Sequence, residues 1–383
     1  MRILITTGIF PPEIGGPATY VPIIASTLSE RGHRVCVIAP EEKGMDCPIL
    51  DPPYQIIRFP HARFLRFVNY FIELWRAFSI ILKHVNDYEI IYINGLNLAA
   101  TLVCLLKRKP SIVKVVGDGA WEFAYNRGWT SLNLDEFQTA KGWRFEILRL
   151  MSHTAAKRAN TVIVPSHYLA RIVNTWRISK SRIKVICNAI SIDCGNNEIF
   201  LPEGFSEGFR LLMVGRMIPL KRIEQVIDIL PTLDGAKLVI VGAGPLFTDL
   251  NNQVKRLRLF ARVYFTGPIS HKEVWSLLKY YANVLIINSV HETSPHVILE
   301  AMNFGVPVVA TAVGGIPELI QDRNTGILIQ PDSPQQLIDA LHLLQTEIQL
   351  RKTLSEDARR FVKRFSIECM VNETESALFK AIR

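Results

Sequence analysis

The sequence predicts an α/β protein made of two doubly wound domains that face each other across a cleft. The chain has 383 residues, more than one hydrophobic core usually serves, so two domains of ordinary size are expected. Short β-branched apolar runs alternate with helical patterns along the chain, which is typical of parallel sheets covered by helices on both faces. Residues 189–209 contain several Gly and Asn residues and a Pro, a composition that favours a linker between the domains.

The strands of both sheets are predicted from these apolar runs. In the first half they are expected at residues 2–8, 34–40, 54–60, 89–96, 112–118, 161–166 and 183–188. In the second half they are expected at residues 210–217, 237–242, 263–267, 283–288, 307–311 and 326–330. We therefore predict a first domain over residues 1–200 and a second over residues 201–364. A final helix, at about residues 365–383, is expected to pack back onto the first domain.

Ligands of doubly wound sheets bind beyond the carboxyl ends of the strands. Predicted strand ends that carry glycine or polar residues are therefore candidate site positions. The best of these are the ends at Gly8, Asp118, Gly215, Gly242 and Asn288.

Composition narrows the possible partners. The net charge of +9 favours anionic ligands, which include nucleotides, phospholipid headgroups and nucleic acid. Because no recognisable nucleic-acid-binding module is present, nucleic acid is not an expected partner. The six cysteines lack the spacing of a metal site, so we expect no metal and no cofactor.

Two further sequence features concern location. No export signal is evident at the start of the chain. The uncharged stretch 90–106 is too short and too interrupted to span a bilayer. We therefore expect a cytoplasmic protein.

Residues 289–305 are the segment richest in site signals. Ser294 is a good N-cap, Pro295 suits the first helical position and Gly305 suits the exit, so a short helix over 295–304 is predicted. The free amides at its N-terminus, together with the helix dipole, suit an anion such as a diphosphate.

Glu292 and Glu300 flank the start of this helix. In one continuous helix they would lie ~12 Å apart, at about 1.5 Å per residue. That separation exceeds the ~5–5.5 Å between the paired carboxylates of a retaining glycosidase. Carboxylates placed in this way suit the binding of sugar hydroxyl groups, although two solvated glutamates on a surface helix remain an alternative.

Two cations follow the strand that ends near Val214. Arg216 can clamp phosphate oxygens with its planar guanidinium, and Lys221 adds a point charge at the start of the next helix. A cation at a helix start opposes the dipole and is favoured there by a bound anion. The alternative is a pair of ordinary surface cations.

These residues belong to a longer series of motifs. The pattern Gly-Arg-x4-Lys at 215–221 and the pattern Glu-x7-Glu at 292–300 are its two charged members. The others are Val241-Gly242-Ala243-Gly244-Pro245-Leu246, Phe265-Thr266-Gly267 and Gly305-x-Pro307-Val308-Val309-Ala310-Thr311, with a glycine-rich first loop at 10–20 and strand ends at Val164-Pro165-Ser166 and 185–189. The series closely resembles the retaining glycosyltransferases of family 4, which have the GT-B architecture of two Rossmann-like domains.

The resemblance implies that a nucleotide diphosphate-sugar binds mainly to the second domain. Arg216 and Lys221 would bind its diphosphate, and Glu300 would bind the ribose hydroxyls. Glu292 would contact the transferred sugar. The other donor-binding residues implied are Gly15, Gly16, Gly242, Ile269, Thr293, Ser294, Pro295, His296 and Val297.

The chemistry expected from the resemblance follows the movement of charge. Negative charge develops on the leaving diphosphate, so Arg216, Lys221 and the helix amides would stabilise its departure. The family retains the anomeric configuration of the sugar. Catalytic roles are therefore predicted for Arg216, Lys221 and Glu292.

The sequence departs from the family pattern in two places. The loop after Glu292 reads Thr293-Ser294-Pro295-His296, and Gly117-Asp118-Gly119 stands where many members have His-Gly. Asp118 is predicted either to replace that histidine as a catalytic group near the sugar or to cap a turn. Residues expected to line the acceptor side are Tyr20, Trp121 and Arg127.

Residues 58–84 interleave basic and aromatic side chains in the domain expected to bind the acceptor. Such a segment suits the surface of an anionic bilayer, which would place the protein at the inner face of the membrane with a lipid-linked acceptor. The alternative is a helix that packs its aromatic face on the sheet.

The predicted function is transfer of a hexose from a nucleotide diphosphate donor to a glycan or a lipid-linked acceptor, with retention of configuration. Two alternatives share the architecture. One is a non-hydrolysing sugar-nucleotide 2-epimerase, and the other is a non-catalytic protein that binds sugar nucleotides.

Overall fold

A computed structural model describes residues 1–13, 15–41, 51–60, 66–190 and 199–382, with side chains for all of these except 66–70. The chain divides into two compact units. The first consists of Met1–Asn188 together with Ile367–Arg383, and the second of Ala189–Ser366. Each unit is a doubly wound α/β domain of the Rossmann-like type.

The first unit contains a seven-stranded parallel sheet. Its strands are β1 (Arg2–Thr7), β2 (Arg34–Glu41), β3 (Gln55–Pro60), β4 (Ile90–Asn94), β5 (Ser111–Lys114), β6 (Thr161–Val164) and β7 (Ile183–Val185). Their order in the sheet is β3-β2-β1-β4-β5-β6-β7, so the chain reverses its direction of winding between β1 and β4.

Helices cover this sheet. They are α1 (Gly16–Glu30), α2 (Arg66–His84), α3 (Asn97–Lys107), α4 (Gly119–Asn126), α5 (Leu134–Phe137), α6 (Trp143–Arg158) and α7 (His167–Thr175). The described residues contain no helix that is both long and apolar enough to span a membrane.

The second unit contains a six-stranded parallel sheet. Its strands are β8 (Phe209–Val214), β9 (Ala236–Val241), β10 (Val263–Gly267), β11 (Val284–Ile287), β12 (Val308–Thr311) and β13 (Ile327–Ile329). The order is β10-β9-β8-β11-β12-β13, and the reversal here lies between β8 and β11.

The helices of the second unit complete the described chain, together with a last helix that returns to the first unit. They are α8 (Ile223–Ile229), α9 (Phe247–Arg256), α10 (His271–Ser276), α11 (His296–Phe304), α12 (Ile316–Leu319), α13 (Pro334–Thr346), α14 (Ile348–Val362) and α15 (Ile367–Ile382).

The predicted strands are confirmed, because each apolar run forms one strand of a parallel sheet. All five residues of β4 are buried, as expected of a central strand that has helices on both faces. Several predictions extend too far at the carboxyl end. The run 112–118, for example, leaves the sheet after Lys114, and its last residues form the loop and cap that precede α4.

Helix α15 packs against α1, β4 and β5 of the first unit. Its Glu375 accepts a hydrogen bond from Arg31 at 2.8 Å and pairs with His33 at 2.6 Å.

The boundary between the two units lies between Asn188 and Ala189, twelve residues before the predicted boundary at 200. Residues 191–198 of the predicted linker lie outside the described residues.

Candidate functional site

The reversal point of the second sheet gathers most of the predicted donor-binding residues. Strands β8 and β11 are paired there, with Leu211 opposite Val284 and Leu212 opposite Leu285. The turn after β8 and the loop after β11 are joined directly, because Val290 N donates to Leu220 O at 2.9 Å. A small pocket at this point is lined by residues that include Gly215, Lys221, Asn288 and Ser289.

The loops after β8 and β9 lie in close contact. A Cβ on Gly242 would stand 2.1 Å from the carbonyl oxygen of Gly215, and Gly242 has a φ of +127°. A Cβ on Gly244 would meet the carbonyl oxygen of Met217 at 2.3 Å. The glycines at 242 and 244 therefore let the β9 loop support the backbone that presents Arg216.

Lys221 and Glu292 form an ion pair across this site. The ammonium group of Lys221 donates to Glu292 Oε1, which also accepts from Ser289 Oγ at 3.0 Å. The side chains are 24% and 14% exposed, so the pair is partly shielded from water. Arg216 lies nearby in sequence, directly after Gly215, and is exposed.

The backbone of Glu292 is held by two glycines that follow β12. Gly315 N donates to Glu292 O at 2.9 Å, and a Cβ on Gly314 would stand only 1.8 Å from that oxygen. Gly314 also has a φ of +57°, which favours glycine. These two residues were not among the predicted site residues, although a Gly-Gly pair after a strand is a usable signal.

Helix α11 begins at His296, one residue later than predicted, and the predicted N-cap is wrong. The residue at the N-cap position is Pro295, and it makes no side-chain capping hydrogen bond. Gly305 ends the helix with a φ of +72°, which confirms the predicted exit. Thr293 and Ser294 form the non-helical lead into the helix, and Val297 lies in its first turn.

Glu300 is nearly buried within α11, at 3% exposure. Its Oε1 lies 3.6 Å from His271 Nδ1, and this carboxylate raises the pKa of His271. His271 begins α10, directly after the Ser270 cap and two residues after Ile269. The sequence patterns did not single out His271, because its proximity to Glu300 depends on two helices that are distant in the chain.

The glycine-rich loop of the first unit leads into α1. Gly15 has extended backbone and stands at the N-cap position, and Gly16 begins the helix, followed by Pro17. A Cβ on Gly16 would meet nothing within 4 Å, so this glycine leaves open space beside the helix start.

Asp118 is the N-cap of α4 and is completely buried. Its carboxylate accepts hydrogen bonds from the amide of Ala120 and from Gln138 Nε2, each at 3.0 Å, and pairs with His153 Nε2 at 3.0 Å. Burial alone would raise the pKa of Asp118, but the bonds from His153 and Gln138 outweigh it and lower that pKa. This geometry favours the capping alternative, and a catalytic role for Asp118 stays a prediction.

The three predicted acceptor-side residues occupy different environments. Trp121 is buried, and its Nε1 donates to Leu132 O at 2.9 Å. Tyr20 is also buried, with its hydroxyl 2.7 Å from that of Tyr92. Arg127 ends α4 at the surface, with its guanidinium 5.0 Å from the centre of the Phe123 ring.

The described residues include no group of three or more His, Cys, Asp or Glu side chains placed to hold a metal ion. The charged residues that follow β8 and β11 at the reversal point include Arg216, Lys221 and Glu292. They suit a ligand that combines phosphate with hydroxyl groups.

Two family models match the chain, and between them they cover almost all of it. Residues 14–193 match the model described as Glycosyltransferase Family 4. Residues 197–361 match the model described as Glycosyl transferases group 1.

Relatives of similar length support the same family. An uncharacterized glycosyltransferase of Methanocaldococcus jannaschii is 26% identical over 369 residues, which is 96% of this chain and 95% of that protein. A GDP-mannose-dependent alpha-(1-6)-phosphatidylinositol monomannoside mannosyltransferase of Mycobacterium tuberculosis is 25% identical over 358 residues, 89% of this chain and 88% of that protein.

Solved structures show the same fold. The Anabaena protein HepE, crystallised in complex with UDP and glucose, superposes with a TM-score of 0.77 at 20% identity. The match covers 99% of this chain and 100% of that one. The two parallel sheets, the matched family models and the full-length relatives together show that this chain is a GT-B hexosyltransferase that belongs to glycosyltransferase family 4.

Proposed function

We propose that this enzyme transfers a sugar from a nucleotide diphosphate donor to a glycan or a lipid-linked acceptor, with retention of anomeric configuration. The observation that carries the proposal is the Lys221–Glu292 pair at the reversal point of the second sheet, where Lys221 follows β8, Glu292 follows β11, and Arg216 lies in the turn after β8. This arrangement supports the proposal that two cations bind the phosphates and a carboxylate binds the sugar at the carboxyl ends of the same strands. The UDP and glucose bound to HepE support a nucleotide-sugar donor.

The donor is proposed to bind in an extended form along this edge. Its diphosphate contacts Arg216, Lys221 and the amides from Thr293 to Val297, where the start of α11 favours negative charge. Glu300 binds the ribose hydroxyls, and Ile269 borders the base. The Glu300 carboxylate, 3.6 Å from His271, accepts hydrogen bonds from hydroxyl groups.

The pairing of Lys221 with Glu292 suggests how the donor changes this site. In the structure, the ammonium group of Lys221 is engaged in an ion pair with Glu292. A bound diphosphate competes for that ammonium group, and Glu292 is then available to accept from a sugar hydroxyl. As the anomeric bond breaks, the growing charge on the diphosphate strengthens its contacts with Lys221 and Arg216, which lowers the barrier.

Transfer is proposed to need no metal, since Arg216, Lys221 and the helix amides neutralise the leaving group. Retention is proposed to follow from attack on the same face from which the diphosphate departs. The anomeric configuration of the product, read by NMR, checks this part of the proposal.

The first prediction concerns the two cations. Arg216→Ala and Lys221→Ala are expected to lower kcat by about 10²-fold or more, because each removes charge that stabilises the departing diphosphate. The measurement is release of nucleoside diphosphate from a panel of UDP-, GDP- and ADP-sugars, with and without candidate acceptors. Added EDTA is expected to leave the rate unchanged.

Lys255→Ala is the matched control, because Lys255 is an exposed lysine in the last turn of α9 in the same unit. It is expected to retain the wild-type rate. Near-normal turnover in both site variants would refute the leaving-group role. Conversion of the donor without any acceptor would count against transfer itself.

The acceptor is proposed to approach from a membrane surface at the cytoplasmic side. The M. tuberculosis relative is named for action on phosphatidylinositol monomannoside, which supports a lipid-linked acceptor. Part of the basic and aromatic segment 58–84 forms α2, where Phe71 and Trp75 are exposed. Residues 61–65 of that segment, and the side chains of 66–70, lie outside the described residues.

Helix α6 extends the apolar surface beyond α2. Trp143, Ile147, Leu150 and Met151 follow each other at helical spacing and are all exposed. Helix α3 contacts both α2 and α6, and it adds three exposed leucines, which are Leu102, Leu105 and Leu106. An apolar face of this kind in a basic unit supports contact with an anionic bilayer.

A further inference from the structure

A second pocket lies in the first unit, beyond the carboxyl ends of β4 and β5. Its volume is about 290 Å³, close to the lower end of the range for small-molecule sites. Asn94, Lys114, Glu122, Ser152 and Trp176 are among the residues that line it. None of these five was predicted as a site residue.

Lys114 is a buried lysine held by uncharged neighbours. It is 5% exposed, its Nζ donates to Asn188 Oδ1 at 2.7 Å, and it lies 3.2 Å from the centre of the Tyr20 ring. Burial lowers the pKa of Lys114 well below its usual value, because the charged form is poorly solvated there. Tyr20 and Asn188 thus hold the amine in one orientation as a hydrogen-bond donor.

Asn94 supplies a second donor beside it. The residue is 7% exposed, and among the described residues its Nδ2 is a buried atom with no hydrogen-bond partner. A buried donor that lacks an acceptor is unfavourable, so a ligand oxygen that accepts from it is favoured.

Glu122 supplies an acceptor on the same wall. Its Oε1 lies 2.4 Å from the position that a Cβ on Gly117 would take, so the glycine lets the carboxylate approach the backbone after β5. Trp176 adds an apolar edge to the lining: one face of its ring stacks on His153 with 3.7 Å between ring centres, its Nε1 donates to Gln138 Oε1 at 3.0 Å, and 6% of the residue remains exposed. Donors, an acceptor and an aromatic wall in one small pocket match the hydroxyl groups and the apolar face of a sugar ring, whereas the carboxylate disfavours an anion.

We propose that this pocket binds a neutral sugar residue of the acceptor. Ring hydroxyls accept from Asn94 and Lys114 and donate to Glu122, while the ring lies near Trp176. The assignment of the bound sugar to the acceptor rests on the proposed function, but the binding of a neutral sugar is measurable without turnover.

The test uses the full-length protein with ¹⁵N-labelled tryptophan. The indole signal of Trp176 is identified with Trp176→Phe, and methyl α-glucoside, methyl α-galactoside, methyl α-mannoside and inorganic phosphate are titrated separately. We expect at least one methyl glycoside to shift the Trp176 signal and phosphate to leave it unchanged. A shift with phosphate alone, or with none of the four, would overturn the proposal.

Three variants locate the binding. Lys114→Met, Asn94→Ala and Gly117→Ala are each expected to weaken glycoside binding about tenfold or more. Gly117→Ala acts by displacing the flexible end of Glu122, so it tests the carboxylate even if Lys114→Met impairs folding. Unchanged binding in all three would place the glycoside elsewhere and overturn the proposal.

Lys109→Met is the matched control, because Lys109 is a partly buried lysine of the same unit that donates to Tyr88 O at 2.6 Å, outside the pocket. It is expected to bind the glycoside normally. Glycoside binding without sugar transfer would refute the proposed function and leave the pocket assignment standing. Sugar transfer in which the three variants keep the wild-type KM for the acceptor would refute the pocket assignment and leave the proposed function standing.

Discussion

Gly242 shows how one residue shapes the donor-side loops. Its positive φ and the nearby carbonyl oxygen of Gly215 act together, because any side chain would be both strained and in collision with backbone. Backbone atoms cannot swing aside as a side chain does. The motif glycine therefore supports the loop that presents Arg216.

The second prediction follows from this contact. Gly242→Ala is expected to destabilise the protein by ~3 kcal/mol or more, through combined strain and overlap. Gly235→Ala is the matched control, since Gly235 has a φ of +64° but a Cβ there would meet nothing within 4 Å. Its expected cost is ~1–2 kcal/mol. Thermal unfolding of both variants measures the difference, and equal costs would contradict the overlap with Gly215.

Asp118, unlike Gly242, stands in a sequence context that fits two different roles. An aspartate before a helix start suits a cap as well as a catalytic site, and nothing in the sequence separates the two. The structure surrounds this carboxylate with His153, Gln138 and the first amides of α4. Those partners lie up to 35 positions away in the chain, so their convergence depends on the tertiary structure.

At the scale of elements, α15 is the piece of the chain that returns to the first unit. Its apolar positions, which include Val371, Leu378 and Ala381, are buried there. Glu375 forms ion pairs with Arg31 and His33, which lie in the turn directly after α1. The hydrogen bond with His33 is the main cause that lowers the pKa of Glu375.

The third prediction uses this lowered pKa. A carboxylate whose pKa is lower in the folded state stabilises the fold above its usual pKa, and this stabilisation is lost as the pH falls through the lowered value. Glu375→Gln is therefore expected to reduce the Tm at about pH 6, and the gap to wild type is expected to narrow towards about pH 3.5. Glu373→Gln, an exposed glutamate of the same helix, is the control and is expected to show little change at either pH. A gap that widens on acidification would contradict the pairing.

At the scale of the whole molecule, the net charge is divided unevenly. The first unit carries 26 Lys and Arg residues and 17 Asp and Glu residues, a difference of +9, whereas the second carries 18 of each. Residues 147–192 contain eight of these cations and no Asp or Glu. The long-range attraction for anionic surfaces therefore comes from the unit that also exposes the apolar residues of α2, α3 and α6.

The fourth prediction concerns this surface. The protein is expected to co-sediment with vesicles that contain phosphatidylglycerol more strongly than with pure phosphatidylcholine vesicles. The double variant Trp143→Ser, Leu150→Ser is expected to weaken binding about tenfold or more, because it removes two exposed apolar side chains. Raising the salt to about 1 M is expected to weaken binding further, since screening shortens the Debye length to ~3 Å.

The control for this experiment lies on the second unit. Phe200 and Phe260 are exposed there, and the double variant Phe200→Ser, Phe260→Ser is expected to bind vesicles as wild type does. Equal binding by wild type and by the α6 variant would exclude α6 as the contact surface.

The sequence by itself determined the architecture and the donor-side motifs. Apolar runs predict strands because the side chains of a covered parallel sheet are buried on both faces. The charged motif residues lie in local patterns next to such runs; they are Arg216, Lys221, Glu292 and Glu300. Only the tertiary structure decided which distant groups meet. It paired Lys221 with Glu292 and placed His271 beside Glu300. It also buried Asp118 beside His153 at the start of α4 and brought Lys114 and Asn94 to one pocket. The physical reason is that strand order, and not proximity in sequence, brings these side chains to the same edge of a sheet.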